Sequence, residues 1–466
     1  MPMHPLHSAN TSPASGPAYS TMRLLRFSAL VVPLYAAAQP VMAYVPALLS
    51  RHYGIPLATL GLLFLLGQAV NSLLDPLVGT LSDRTQSRFG RRRPWILGGG
   101  VLFVLGSAIL FFPPAGVSTA WVGLGVMLYY CGASALSTPL MAWSGEISGD
   151  YHERTRIASL ITLLSSVALV LALVLPAIAD QLRPGDGQLR LTLFGTLVLA
   201  TALPGLWLTL TAVPDSTPPA LEHSPSPRAA LKAVLGNPLL LRVLAADAAV
   251  TAGQGVRTGL LLFVVTFALG RPEWAAGMFL FQYWFGMLAA PIWQRIGTAL
   301  GKAQGAVLAE LVQAAINFGL LFISADRFWL MLLLAALQGL SQGSGNLMLR
   351  SIVSDIADHH RLATGEDRTG LYFSVFGISI KLGGALAVGI ALPLVASLGF
   401  DPKAAANTPE ALRWLIVVFA LGPALAHSAA AALMLGFPLD AHRHTEIRRQ
   451  LEARDSVAAA ALVPAE

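Results

Sequence analysis

The chain has 466 residues, of which 55% are hydrophobic and only 12% charged, with a net charge of +6. Ordinary soluble domains carry roughly 25% charged residues, and a single soluble core of this length cannot hide so much apolar side chain. A soluble fold is therefore excluded. The positive balance does not point to nucleic acid either, because the basic residues sit between apolar runs rather than on one face.

Residues 1–22 are rich in Ser, Pro and His and read as a disordered tail, without the short apolar core of a secretory signal. Twelve apolar runs of about 20 residues or more, the length that crosses a bilayer, follow. They lie near 27–50, 56–81, 95–113, 119–144, 156–180, 190–213, 239–269, 274–297, 303–324, 327–349, 370–397 and 409–437. The polar break 214–238 (PDSTPPALEHSPSPRAALKAVLGNP) falls after six runs and reads as a linker. The expected fold is an all-α polytopic membrane protein with six-helix halves at 23–213 and 239–437 and a tail at 438–466. Basic residues favour the tails and one set of loops by about three to one, which predicts that both termini are cytoplasmic. The single cysteine, Cys131, lies within a run, so no intramolecular disulfide can form.

The stretch 71–95, NSLLDPLVGTLSDRTQSRFGRRRPW, joins two features that are each costly in the other's surroundings. Asp75 lies inside apolar sequence, where a carboxylate persists only beside a cavity or a partner. The loop after it holds Arg84, Arg88, Arg91, Arg92 and Arg93. A weak echo, Pro291 to Lys302 (PIWQRIGTALGK), occupies the corresponding position in the second half. Such internal repetition is typical of secondary transporters, whose solute site lies at mid-membrane between the repeats.

Residues three, four and seven apart share a helix face. On this spacing Gln68, Asn71 and Asp75 align on the second span, and Ser134, Ser137 or Thr138 on the fourth. Asp247, Thr251, Gln254 and Thr258 align on the seventh, Gln338, Gln342 and Asn346 on the tenth, and Ser374 and Lys381 on the eleventh. The first span contributes Tyr35 and Gln39. Single hydroxyls in such positions commonly join helices by bonds of about 1 kcal/mol. The large amides exceed that need and predict a wet cavity for a hydroxylated solute. Tyr44, Trp143, Tyr283, Trp284 and Tyr372 are candidates to stack on it or to sit in the interfacial belt.

Asp75 and Lys381 are the two charges that spacing leaves away from a span end. A carboxyl balanced between desolvation and a nearby cation can load and release a proton; the alternative is a static pair that locks two helices. Asp247 and Arg257 are ten residues apart on one helix and cannot pair directly, so each is a separate solute-site candidate. Glu146 near the end of the fourth span reads as a gate contact, and His359 and His360 as exposed loop residues. No metal set, phosphate-cradling loop or Ser-His-Asp arrangement stands out, so neither an enzyme nor a cofactor is expected.

Asp75-Pro76, Gly79, Ser82-Asp83-Arg84 and Gly90-Arg91-Arg92-Arg93-Pro94-Trp95 resemble the glycoside–pentoside–hexuronide:cation symporters, the melibiose permease-like family of the major facilitator superfamily. Pro139, Glu146 and Glu153-Arg154-Thr155-Arg156 are similar to its fourth helix and following loop. Asp355, Asp358, Gly365, Arg368 and Gly370, then Lys381-Leu382-Gly383-Gly384, are similar to its eleventh-helix region. The resemblance implies alternating-access symport in the inner membrane, with Asp75 as coupling carboxylate and Lys381 as its partner. It also implies a cytoplasmic gate built from Asp83, Arg84, Arg91, Arg92, Glu146, Arg154, Asp355, Asp358 and Arg368.

The departures are equally specific. Sodium-using members carry a second acid where this chain has Asn71, an arginine where it has Gln68, and an acid where it has Ser137. No acid occurs between Phe27 and Ser50. One titratable acid suffices for a proton, whereas a sodium ion needs several oxygen ligands; proton coupling is expected, with sodium as the alternative. The expected cation-site residues are Asp75, Asn71, Ser137 and Lys381. Tyr35, Gln39, Gln68, Trp143, Asp247, Gln254, Arg257, Gln338, Gln342 and Asn346 are expected at the solute. The solute expected is a sugar or glycoside, with a lipid-like amphipath as the alternative, and no obligate protein partner is implied.

Overall fold

The computed structural model describes residues 19–147, 151–183, 186–215, 232–366, 368–404 and 406–461. The described helices of the first part are α1 (Thr21–Ser28), α2 (Val31–Ala43), α3 (Val45–Tyr53), α4 (Leu57–Arg84), α5 (Arg93–Phe111), α6 (Thr119–Glu146), α7 (Tyr151–Leu182) and α8 (Gly187–Ala212). Those of the second part are α9 (Pro238–Phe263), α10 (Gly277–Gly286), α11 (Ala289–Leu300), α12 (Lys302–Gly319), α13 (Phe328–Ser341), α14 (Ser344–Thr364), α15 (Thr369–Ser397), α16 (Pro409–Met434) and α17 (Ala441–Ala461). Polar residues between the apolar runs start several of them. Ser118, Asp186, Asn237 and Thr408 each accept a hydrogen bond from the backbone N–H three residues on, satisfying a donor the helix itself leaves free.

Ten helices among the described residues are long and apolar enough to cross a membrane. The two remaining expected runs, 274–297 and 327–349, are each split into shorter helices. α10 gives way to α11 at Met287–Leu288, and α13 gives way to α14 at Gln342–Gly343. At the second break Gly343 adopts φ +75°, a conformation that side chains with a Cβ disfavour. The first run is likewise divided, around Ala29–Leu30 and at Tyr44, and carries Pro33, Pro40 and Pro46. α14 continues to Thr364, well past the expected end at 349, and the tail expected over 438–466 contains α17. α1 begins inside the expected N-terminal tail, and residues 1–18 and 216–231 lie outside the described residues.

Packing sorts the helices into two sets, α1–α8 and α9–α17. The sets meet through α4 with α15, α2 with α9, α7 with α10, and α7 with the turn at Pro272–Trp274. Within the first set α5 and α6 make the most extensive contact. Their seam is glycine: a Cβ on Gly99 or Gly106 would strike the α6 backbone, and one on Gly132 would strike the α5 backbone at Phe103. Small residues allow this approach in lipid, where dispersion contacts rather than water expulsion join helices.

Several links between the sets lie at the ends remote from the basic loops. Arg51 stacks over Phe267 at 5.4 Å, the Lys403 ammonium bonds the Gly54 carbonyl, and the Ala276 N–H donates to Asp180 at 3.3 Å. Gly61 packs against Pro393 there, and Gly389 against Leu65.

The α5–α6 seam makes a direct prediction. Gly132→Val should cost about 3 kcal/mol through overpacking, seen as a lower melting temperature of the purified protein, and an unchanged melt would refute the close approach.

Candidate functional site

Asp75 and Lys381 meet across α4 and α15. The Lys381 ammonium contacts the Asp75 carboxylate and donates to Asn71 Oδ1 at 2.7 Å. On the other side Ser134 and Thr138 of α6 donate to Asp75 Oδ1 at 2.6 and 3.2 Å. Asn71 is fixed in turn, its Nδ2 donating to the Tyr130 carbonyl at 3.0 Å. Asp75 and Thr138 each immediately precede a proline inside a helix, Pro76 and Pro139. Proline leaves the carbonyl four residues earlier without its helical donor, which loosens both helices beside the carboxylate.

Ser137 was the expected hydroxyl at this site, but its neighbours Ser134 and Thr138 hold Asp75; Ser137 faces the adjoining cavity instead. That cavity of about 420 Å³ is lined by Tyr35, Gln68, Asn71, Tyr130, Ser137 and Lys381 among others, with Leu34, Phe64 and Val388 as apolar wall. A smaller cavity of about 90 Å³ lies beside α7, α9 and α10 and holds Gln39, Arg257, Thr258, Gln282, Tyr283 and Gln342. Here Arg257 donates to Gln282 at 2.8 Å, and Gln282 donates to Gln342 at 3.3 Å. Gln342 reaches this cavity because the chain breaks immediately after it.

Other expected solute residues lie deeper. Gln254 donates to Asn346 at 3.1 Å, and Asn346 to the fully buried Asp247 at 3.2 Å. Gln338 bonds Gln313 in the interior. Trp143 lines neither cavity: it is buried edge-on against Phe27 with Arg93 over its ring, so it belongs to the core. Tyr44 is buried between Phe194 and Phe279, Tyr372 accepts from Asn237, and Trp284 is exposed on the outer surface.

The expected gate residues divide into two clusters. Arg91 and Arg92 both reach Glu146, at 2.8 and 2.6 Å, and Arg92 also pairs with Asp83. Burial works against the Arg92 guanidinium, but the Glu146 hydrogen bond and charge, then Asp83, outweigh it and hold its pKa above the ordinary value. Asp215 accepts from the Arg92 and Arg93 N–H groups at 2.7 and 3.0 Å, capping α5. In the second set Lys302 grips Asp355 at 2.7 Å, and His444 of α17 lies 3.3 Å from both Asp355 and Asp358. Arg84 is exposed and has no ion pair among the described residues, and Arg368 pairs locally with Glu366 at 2.5 Å. The Arg154 side chain lies outside the described ones.

Asp75 and Lys381 are not the only charges within spans. Glu310 of α12 and His427 of α16 are buried at 1% exposure each and lie 2.5 Å apart. Glu310 was legible as a lone acid in an apolar run, and His427 as a lone imidazole in another; sequence reasoning weighed neither. Asp215 and Gln282 were missed for lack of any local pattern.

The sequence matches the profile of the MFS/sugar transport protein family over residues 29–441. It is similar to an uncharacterized symporter, sll1374, of Synechocystis sp., with 24% identity over 88% of this chain and 93% of that protein. It is also similar to the putative glycoside/cation symporter YagG of Escherichia coli, with 22% identity over 86% and 88% of the two chains. A solved bacterial homologue of the lysosomal transporter Spinster, inward-facing and unoccupied, superposes with a TM-score of 0.61 at 14% identity, covering 93% of this chain and 98% of that one.

Glu146→Gln should leave Arg91 and Arg92 without their shared carboxylate and cost about 3 kcal/mol, whereas Arg84→Ala should change stability by less than about 0.5 kcal/mol. Thermal melts of the two variants check the contrast, and equal losses would overturn the role of Glu146 as the shared partner of both arginines.

Proposed function

Because this chain belongs to the MFS/sugar transport protein family, we propose that it carries a sugar or glycoside together with a proton by alternating access. The observation that carries this reading is the Asp75–Lys381 pair, which joins α4 to α15 at the wall of the larger cavity. Protonating Asp75 cancels its charge and frees Lys381, so one proton alters the contact between the two helix sets. A sodium ion would have to displace the ammonium from both Asp75 and Asn71. That exchange favours a proton over sodium as the coupling ion.

In this reading the basic-loop side is cytoplasmic, the protein resides in a bacterial inner membrane with both termini inside, and the conformation is open inward. The ion pairs on the basic side close within each set, while contacts between the sets hold at mid-membrane and on the far side. The hydroxyls of the solute are recognised by Gln39, Arg257, Gln282 and Gln342, donors and acceptors already aimed into one space. Leu34, Phe64 and Val388 in the larger cavity suit an apolar aglycone. The same wall favours a second reading, an amphipathic solute with a lipid-like tail.

The test is solute-evoked charge movement in reconstituted vesicles across sugars, glycosides, uronic acids and a lysolipid, with and without sodium. Sodium-independent currents with a glycoside, abolished in Asp75→Asn, are expected. Currents that require sodium would overturn proton coupling, and a response to the lysolipid alone would replace the sugar.

A further inference from the structure

The second helix set contains an ionisable cluster that the Asp75–Lys381 site does not use. Glu310 of α12 and His427 of α16 lie 2.5 Å apart, carboxylate to Nδ1, each 1% exposed. Around them stand Gly253 of α9, against the His427 ring, and Gly345 of α14, whose missing side chain leaves the room that Glu310 Oε1 fills. The next residue, Asn346, donates to Asp247 of α9, which is 0% exposed. Two carboxyls and one imidazole are therefore buried in neighbouring positions among α9, α12, α14 and α16.

Other charges on these helices are engaged elsewhere: Arg242 of α9 bonds the Leu433 and Leu435 carbonyls, and the exposed Arg350 of α14 stacks over Phe373. Lys302 of α12 is held by Asp355 of α14, about 12 Å along the helix from Glu310. Arg257 of α9 lies about 15 Å along its helix from Asp247 and bonds Gln282. α15 packs Gly383 against Ala248 and Thr251, while Lys381 points to Asp75. One imidazolium can balance one carboxylate, so with both acids ionised a buried charge would stay uncompensated, at a cost of several kcal/mol. A proton bound by one of the carboxyls would remove that uncompensated charge. A cluster designed only to lock helices would satisfy its polar atoms, yet His427 Nε2 and Asp247 Oδ2 have no partner among the described residues.

We propose that Asp247, Glu310 and His427 form a second proton-binding site, separate from Asp75. Protons reach it from the larger cavity past Thr251, which lines that cavity one turn beyond Asp247 and whose buried hydroxyl lacks a partner. Gly345 and Asn346 belong to the first turn of α14, directly after the break whose other lip is Gln342 in the smaller cavity. The proton load of the cluster is thereby sensed where the solute-facing amide is positioned. This site stands independently of which solute is carried.

Infrared absorption of protonated carboxyl groups, titrated in full-length protein in lipid bilayers between about pH 5 and about pH 8, tests the proposal. A pH-responsive carboxyl band should persist in Asp75→Asn. It should be diminished in Asp247→Asn and in the double variant Glu310→Gln/His427→Gln, which substitutes neutral amides and strands no charge. The amide bands of the same spectra report whether each variant is folded. If one of the two replacements unfolds the helices, the other decides: a diminished band supports the second site, and an unchanged one overturns it. Loss of all pH-responsive carboxyl absorption in Asp75→Asn, or bands in the cluster variants identical to those of the unsubstituted protein, would overturn it.

Discussion

A carboxylate and an ammonium held together inside a membrane constrain everything packed around them. Two unit charges about 4 Å apart attract by on the order of 4 kcal/mol at an effective dielectric of 20, and either one alone in hydrocarbon is strongly disfavoured. Asp75 and Lys381 lie on helices from different sets, so this attraction acts between bodies rather than within one. Removing it by protonation is comparable with the roughly 5.5 kcal/mol that separates a one-sided equilibrium from its reverse. The supporting contacts keep the carboxylate in reach of both partners: Ser134 and Thr138 hold it from α6, and Asn71 is anchored on Tyr130.

For a local charge change to move whole helices, each set must be stiff. The glycine contacts between α5 and α6 bring two backbones together without intervening side chains, and the Glu146 carboxylate ties α6 to the arginines that begin α5. Interruptions are concentrated where solute-facing groups are presented. The breaks near Met287–Leu288 and Gln342–Gly343 flank the small polar cavity, in keeping with the rule that irregular backbone at membrane depth lines a space.

How much of this was legible in the sequence depends on the kind of interaction. Runs of apolar residues are a strong local signal, so the long helices α4, α6, α9 and α15 begin and end close to where hydropathy puts them. The split runs 274–297 and 327–349 each have the length of a single span, so nothing in their hydropathy marks the breaks at Met287–Leu288 and at Gly343, which adopts φ +75°. Asp75 and Lys381 were conspicuous as charges out of place, and helical spacing brought Asn71 to the same face. Spacing could not choose among Ser134, Ser137 and Thr138, which differ only in their rotation toward Asp75, nor reveal that Trp143 turns to Phe27. Asp215 sits beyond the end of α8 and reaches the start of α5 only through the fold. Glu310 and His427 are more than a hundred residues apart, and neither has a neighbour in sequence that hints at the other.

The joint on the side remote from the basic loops is made of a ring under a guanidinium, an ammonium on a backbone carbonyl, and glycines against proline and leucine. Few of these contacts are pairs of opposite full charges, whereas the basic side relies on such pairs throughout. Mobile ions screen solvent-exposed charges separated by more than about 8 Å at physiological ionic strength, and screen close, partly buried pairs much less; they leave van der Waals contact nearly untouched. Neither face of the molecule is therefore tied closely to salinity: the remote joint includes packed glycine, proline and leucine, and the buried Arg91 and Arg92 guanidiniums lie in direct contact with Glu146.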